Sequence, residues 1–123
     1  MTIALKTLIN FNGTDGASLY GDSLIEDADG NLFGMTIQGG TSNQGTVFEI
    51  VYNSGTASYA TTPTTLVNFN GSNGASPYAG LIEDAAGNLF GTTANGGTSG
   101  GGSAFEIAYD SGTASYASTP TTL

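Results

Sequence analysis

The sequence predicts an all-β chain: two four-stranded antiparallel blades of the β-propeller kind, closed into a ring by association of several copies. Three observations predict it. The chain repeats itself at a nearly fixed interval, its short apolar runs are bounded by Gly, Asn, Asp and Pro, and no stretch holds a helical period over a useful length.

The repeat sets the organisation. Thr7-Leu8-Ile9-Asn10-Phe11-Asn12-Gly13 returns 58 residues on as Thr65-Leu66-Val67-Asn68-Phe69-Asn70-Gly71. Leu24-Ile25-Glu26-Asp27 returns as Leu81-Ile82-Glu83-Asp84, an offset of 57, so one residue is lost between Tyr78 and Leu81. The six Phe and six Tyr fall into matched pairs: Phe11/Phe69, Tyr20/Tyr78, Phe33/Phe90, Phe48/Phe105, Tyr52/Tyr109 and Tyr59/Tyr116. Large rings kept in register mark two copies of one structural unit. Residues 12–69 form the first blade and 70–123 the second. Residues 1–11 read as a strand that completes a neighbouring or terminal blade. Thr121-Thr122-Leu123 opens a third copy, matching Thr64-Thr65-Leu66, so the second blade is expected to lack its final strand.

Within a unit the pattern is β. In Ala104-Phe105-Glu106-Ile107-Ala108-Tyr109, large apolar residues alternate with Ala and Glu, the period of two that a half-buried strand shows. Thr65–Phe69, Leu81–Asp84 and Asn88–Thr93 are similar short runs. Asp27–Asn31 and Asp84–Asn88 read as tight hairpin turns, and Gly39–Gly45 and Gly96–Gly102 as longer hairpin loops. Apolar residues on both sides of each strand predict sheets covered on both faces.

Composition excludes much chemistry. The 123 residues include no His, no Cys and a single cation, Lys6, against ten acids, for a net charge of −9. No Ser-His-Asp triad, Cys nucleophile or ordinary zinc site can be built. One cation makes no basic patch, so a nucleic-acid partner is not expected. No apolar run approaches the length of a membrane helix, so membrane insertion by helices is not expected either. An enzyme would have to act through carboxylates alone, and none is expected.

The string Gly80-Leu81-Ile82-Glu83-Asp84-Ala85-Ala86-Gly87-Asn88-Leu89-Phe90-Gly91-Thr92-Thr93, with its Gly-rich loop and Ala104-Phe105-Glu106-Ile107, resembles a bacterial repeat, that of the GloVer-type "choice-of-anchor" tandem-repeat proteins. The first copy departs from it at Asp22-Ser23 and at Met35. The resemblance implies a β-propeller-like blade on a secreted or surface-anchored bacterial protein, hence an extracellular or cell-surface location. It implies no catalytic residues.

Candidate sites are few. Asp27-x-Asp29-Gly30-Asn31 echoes the start of a calcium loop, but Ala86 stands where the first copy has Asp29, and neither copy has the distal bidentate Glu. A hairpin turn accounts for it better, which leaves Asp27 and Asp29 as weak metal candidates and Ca²⁺ as the one cofactor to consider. Glu26-Asp27 and Glu83-Asp84 are adjacent on strands and point to opposite faces, so neither pair can act on one substrate. Glu49 and Glu106 read as strand residues on a solvated face, or as a ring of carboxylates around a channel once blades assemble. Tyr20, Tyr59, Tyr78 and Tyr116 lie near turns, where they can stack on sugars or pack between blades.

These readings give two functions to test. The first is a non-catalytic, self-assembling structural module whose partner is a second copy of the chain. Two blades per chain allow only even totals, so a six-bladed trimer or an eight-bladed tetramer is expected. The second is a lectin-like propeller that binds carbohydrate or cell wall at one site per repeat.

Overall fold

The computed structural model describes residues 4–20 and 24–123. Asp22 and Ser23, where the first copy departs from the repeat motif, lie outside the described residues, as do Met1–Ile3 of the N-terminal segment. The first unit contains β1 (Ile25–Glu26), β2 (Leu32–Thr36), β3 (Thr46–Ile50), β4 (Tyr52–Asn53), β5 (Ser58–Tyr59) and β6 (Thr64–Asn68). The second repeats it as β7 (Ile82–Glu83), β8 (Leu89–Thr93), β9 (Ser103–Ile107), β10 (Tyr109–Asp110), β11 (Ser115–Tyr116) and β12 (Thr121–Thr122). Each unit is a four-stranded antiparallel sheet, ordered β1-β2-β3-β6 and β7-β8-β9-β12, with a two-stranded hairpin beside it. The fold is all-β, and no helix is present among the described residues.

One difference from the sequence reading falls at β12. Thr121 and Thr122 pair with Glu106 and Phe105, so the second blade has a short fourth strand rather than none. Two threonines suffice because the ladder repeats that of Thr64 and Thr65 on Glu49 and Phe48. Residues 4–12, by contrast, form no strand with the other described residues.

The turn after the first strand of each blade is held by one carboxylate. The amides of Asp29 and Asn31 donate to Asp27 Oδ1 at 2.9 Å each, and Asn31 Nδ2 donates to Asp27 Oδ2 at 2.9 Å. Asn31 Oδ1 in turn accepts the Tyr52 amide at 2.9 Å, which ties the turn to the β4–β5 hairpin. Asp84, Asn88 and Tyr109 repeat the arrangement. Gly30 is required at φ +89° because a Cβ there would sit 2.8 Å from the Tyr52 ring.

Alternation gives each blade two faces. In blade 1, Phe33, Met35 and Val47 point one way; Gly34, Phe48 and Ile50 point the other. In blade 2 the corresponding sets are Phe90, Thr92 and Ala104, and Gly91, Phe105 and Ile107. The core is the Phe33 face of blade 1 packed on the Phe105 face of blade 2: Phe33, Met35, Val47 and Val67 join Phe69, Leu81, Leu89, Phe105 and Ile107 in one buried cluster. Ile25, Leu66 and Tyr116 pack on its border. Phe69, on the segment leaving β6, sets its ring edge-on to Phe105 at 5.3 Å, so the exit from one blade seals the next. Gly91 makes room for that ring, since a Cβ would lie 2.7 Å from Phe105 Cζ and 3.0 Å from Leu81 Cδ2. Two backbone bonds stitch the junction: the Phe69 amide donates to Gly45 O at 3.0 Å, and the Ser76 amide to Gln44 O at 2.9 Å.

Candidate functional site

Where the blades meet, their turns and the β10–β11 hairpin enclose a cleft of about 680 Å³. Blade 1 contributes Asp27, Asp29 and Glu49 to its wall, and blade 2 contributes Glu83, Tyr109 and Tyr116. The cleft exists only because two consecutive blades stack, so it is a property of the junction and not of either repeat. Glu26 and Asp84 do not line it, consistent with adjacent carboxylates pointing apart.

The cleft is acidic, and among the described residues no cation lines it. Burial raises the Glu49 carboxyl above its ordinary range, and Asp27 raises it further. Glu83 is raised by burial and then by Asp27 and Asp84, and its Oε2 is enclosed without a hydrogen-bond partner among the described residues. Burial, reinforced by Glu83, Glu49 and Asp27, raises the Tyr116 phenol, which stays neutral. Glu49 is thus a half-buried wall of the cleft, not a freely solvated strand residue.

The metal candidates behave as turn residues. Both Asp27 oxygens accept hydrogen bonds within their own turn, and Asp29 supplies one of the donors. Among the described residues, no group of three or more His, Cys, Asp or Glu is placed to hold a metal ion. The four tyrosines separate into three places. Tyr20 and Tyr78, both exposed, meet edge-on at 5.6 Å across the two repeats. Tyr116 contacts Tyr109 at 4.9 Å and Phe33 at 5.5 Å. Tyr59 lies against Tyr52 at 5.0 Å and does not line the cleft. Reading the sequence missed Tyr109, although the constant spacing of Asn88 to Tyr109 and Asn31 to Tyr52 could have revealed the shared bond.

The faces that the junction does not use are the second notable surface. On blade 2, Ile82 is 67% exposed and Leu123 70%, whereas their equivalents Ile25 and Leu66 border the core. On blade 1, Leu24 is 46% exposed, whereas its equivalent Leu81 is 3% exposed. Phe11 covers Phe48 edge-on at 4.9 Å, as Phe69 covers Phe105. Beside Phe11 an apolar hollow of about 240 Å³ stays open, lined by residues including Leu8, Ile9, Leu24, Gly34 and Phe48. In blade 2 the equivalent space is where the Phe33 face of blade 1 packs.

Two four-stranded repeats that share one core through unlike faces define an all-β tandem-repeat protein. A family model, the Gloeobacter/Verrucomicrobia repeat, matches residues 1–121, and the chain belongs to that family. No curated protein and no solved structure matches it.

Proposed function

We propose that this chain is a non-catalytic structural module that assembles with copies of itself, each blade laying its Phe33-type face on the Phe105-type face of the next. The observation that carries this reading is the contrast between equivalent residues: Leu81 is covered and Leu24 open, Ile25 is covered and Ile82 open. The Phe33-type face of blade 2 is exposed at Ile82, and the Phe105-type face of blade 1 is only partly covered, by Phe11 on Phe48, with Leu24 left open; such a pair is complementary by the rule the core follows. A head-to-tail contact of this kind closes into a ring or runs on as a filament. Propellers of about four to eight blades favour a six-bladed trimer or an eight-bladed tetramer of this two-bladed chain. The resemblance to anchored bacterial repeats supports a place outside the cell or on its surface. Light scattering tests the assembly: a mass three or four times 12.3 kDa supports it, and a folded 12.3 kDa monomer across the micromolar range overturns it. Removal of residues 1–11 should return the assembled species to monomers.

The cleft favours a second reading, carbohydrate binding. Carboxylates accept hydrogen bonds from sugar hydroxyls, and the flanking Tyr109 and Tyr116 offer ring edges and faces. A glycan array separates this site from the exposed Tyr20–Tyr78 pair. Binding lost in Tyr116→Ala places the ligand in the cleft, loss in Tyr20→Ala with Tyr78→Ala places it on the pair, and no binding removes this reading.

A further inference from the structure

We propose that Tyr20 and Tyr78 form an oxidative cross-linking site, at which a dityrosine bond clamps the first repeat to the second. The inference goes beyond the assembly reading and stands on the junction inside the chain. All six tyrosines stand in three Tyr–Tyr pairs, in a chain with no Cys, His or Trp. Tyrosine is therefore the side chain from which a one-electron oxidant draws, and each ring already has a second phenol beside it. Two of the pairs, Tyr52–Tyr59 and Tyr109–Tyr116, are directly opposite residues of one hairpin. Tyr20–Tyr78 alone among the three joins the two repeats.

This pair is also the accessible one. Tyr20 is 63% exposed and Tyr78 48%, whereas the four hairpin tyrosines are partly buried. The two rings meet edge-on, with centroids 5.6 Å apart and planes at 87°. The backbone behind each ring is fixed. Ser18 O accepts the Ile37 amide at 3.0 Å and Ser76 O the Ala94 amide at 3.1 Å, and both serines hold a left-handed backbone, φ +56° and +52°. The Ser76 amide reaches across the junction to Gln44 O at 2.9 Å, and Pro77 is buried where Gly45 leaves room for it. The anchored segments keep the phenols within reach of each other, while exposed side chains rotate within nanoseconds and bring their ring edges together.

The oxidant is hydrogen peroxide acting through a peroxidase. One electron and one proton leave each phenol, and the peroxide is reduced to two waters. The two phenoxyl radicals couple at carbons ortho to their oxygens, forming one C–C bond. The two ortho hydrogens then move to the oxygens, which restores both phenols. The new bond closes a loop from residue 20 to residue 78 that holds the whole of β1–β6, so it restrains the unfolded chain as a disulfide does. Because Tyr20 and Tyr78 are equivalent positions of the two repeats, the same bridge is open wherever one blade follows another through this junction.

Treatment of the full chain, held dilute, with a haem peroxidase and hydrogen peroxide tests the site. The expected product is a single chain under denaturing conditions, lighter by two hydrogens and fluorescent as dityrosine, with a mapped peptide that joins Tyr20 to Tyr78. Its melting temperature should rise by about 5 °C or more. Tyr20→Phe and Tyr78→Phe each keep the packed ring and should abolish the joined peptide. Tyr59→Phe with Tyr116→Phe breaks up the two hairpin pairs and should leave it intact. Links confined to the hairpins, links only between chains, or no link at all overturn the site. A Tyr20–Tyr78 link with an unchanged melting temperature overturns the clamp.

Discussion

The ring of Tyr116, in the hairpin of blade 2, meets the ring of Phe33, in the core strand of blade 1, edge-on with centroids 5.5 Å apart. Blade 2 thus reaches back over blade 1, and its hairpin is part of the junction. Tyr116→Ala should lower stability by about 1–3 kcal/mol through lost burial and the lost aromatic pair. Tyr116→Phe keeps both rings in contact and should melt within a degree or two of the parent. Thermal melts followed by circular dichroism check both.

Gly91 lies under the Phe105 ring, with 2.7 Å between an added Cβ and Phe105 Cζ. Gly91→Ala should cost about 1–3 kcal/mol, because the ring and Leu81 must move within a packed junction. Gly101→Ala, where an added Cβ meets nothing within 4 Å, should stay within about 0.5 kcal/mol. Urea denaturation of the two variants side by side checks the contrast.

The cleft acids and the turn acid predict opposite responses to pH. Glu49 and Glu83 titrate above the usual carboxylate value of 4.5, so the folded state binds their protons more tightly than the unfolded state. Stability should therefore rise as pH falls from 7 through their raised range, the gain being complete below 4.5. Asp84 is held below 3.8, chiefly by the Asn88 side chain, so its contribution is present above 3.8 and is lost as pH falls through the lowered value. Melting temperature against pH should pass through a maximum on the acid side of neutral. A steady fall from pH 7 downward would contradict the assignment of the cleft acids.

Blade 2 presents Thr92 and Ala104 where blade 1 buries Met35 and Val47, so its open face is the less apolar of the two. A contact between copies should accordingly be weaker than the junction inside the chain. Thr92→Met with Ala104→Val rebuilds the blade 1 surface and should tighten association about tenfold or more, from the added apolar area. Sedimentation velocity over a concentration series measures the shift.

Much of this fold is legible in the sequence because its main constraints are local. The period of two in Phe105-Glu106-Ile107, the turn glycines and the twelve paired rings each identify an element without reference to distant residues. The pairing of faces is not local. Nothing in the spacing of Phe33 and Met35 says that they meet Phe105 and Ile107 rather than their own equivalents. Likewise, Glu49 reads as an ordinary outward strand residue, and only the stacking of blade 2 over it makes it a cleft acid. For Asp27 the sequence favours a turn over a cation ligand, though both uses need the same oxygens, and the hydrogen bonds from Asp29 and Asn31 show which groups hold them.

Complementarity between the face of blade 1 exposed at Leu24 and the face of blade 2 exposed at Ile82 is tested most directly by mass measurement on a mixture of two variants. Leu24→Asp places a charge on the hollow beside Phe48 and Ile82→Asp places one on the Phe90 face, so each variant keeps one working face. Light scattering should find each variant alone as a 12.3 kDa monomer, and their mixture as a species of about twice that mass. A mixture that stays monomeric while the parent chain assembles, or a single variant that assembles as the parent does, would contradict the pairing of these faces.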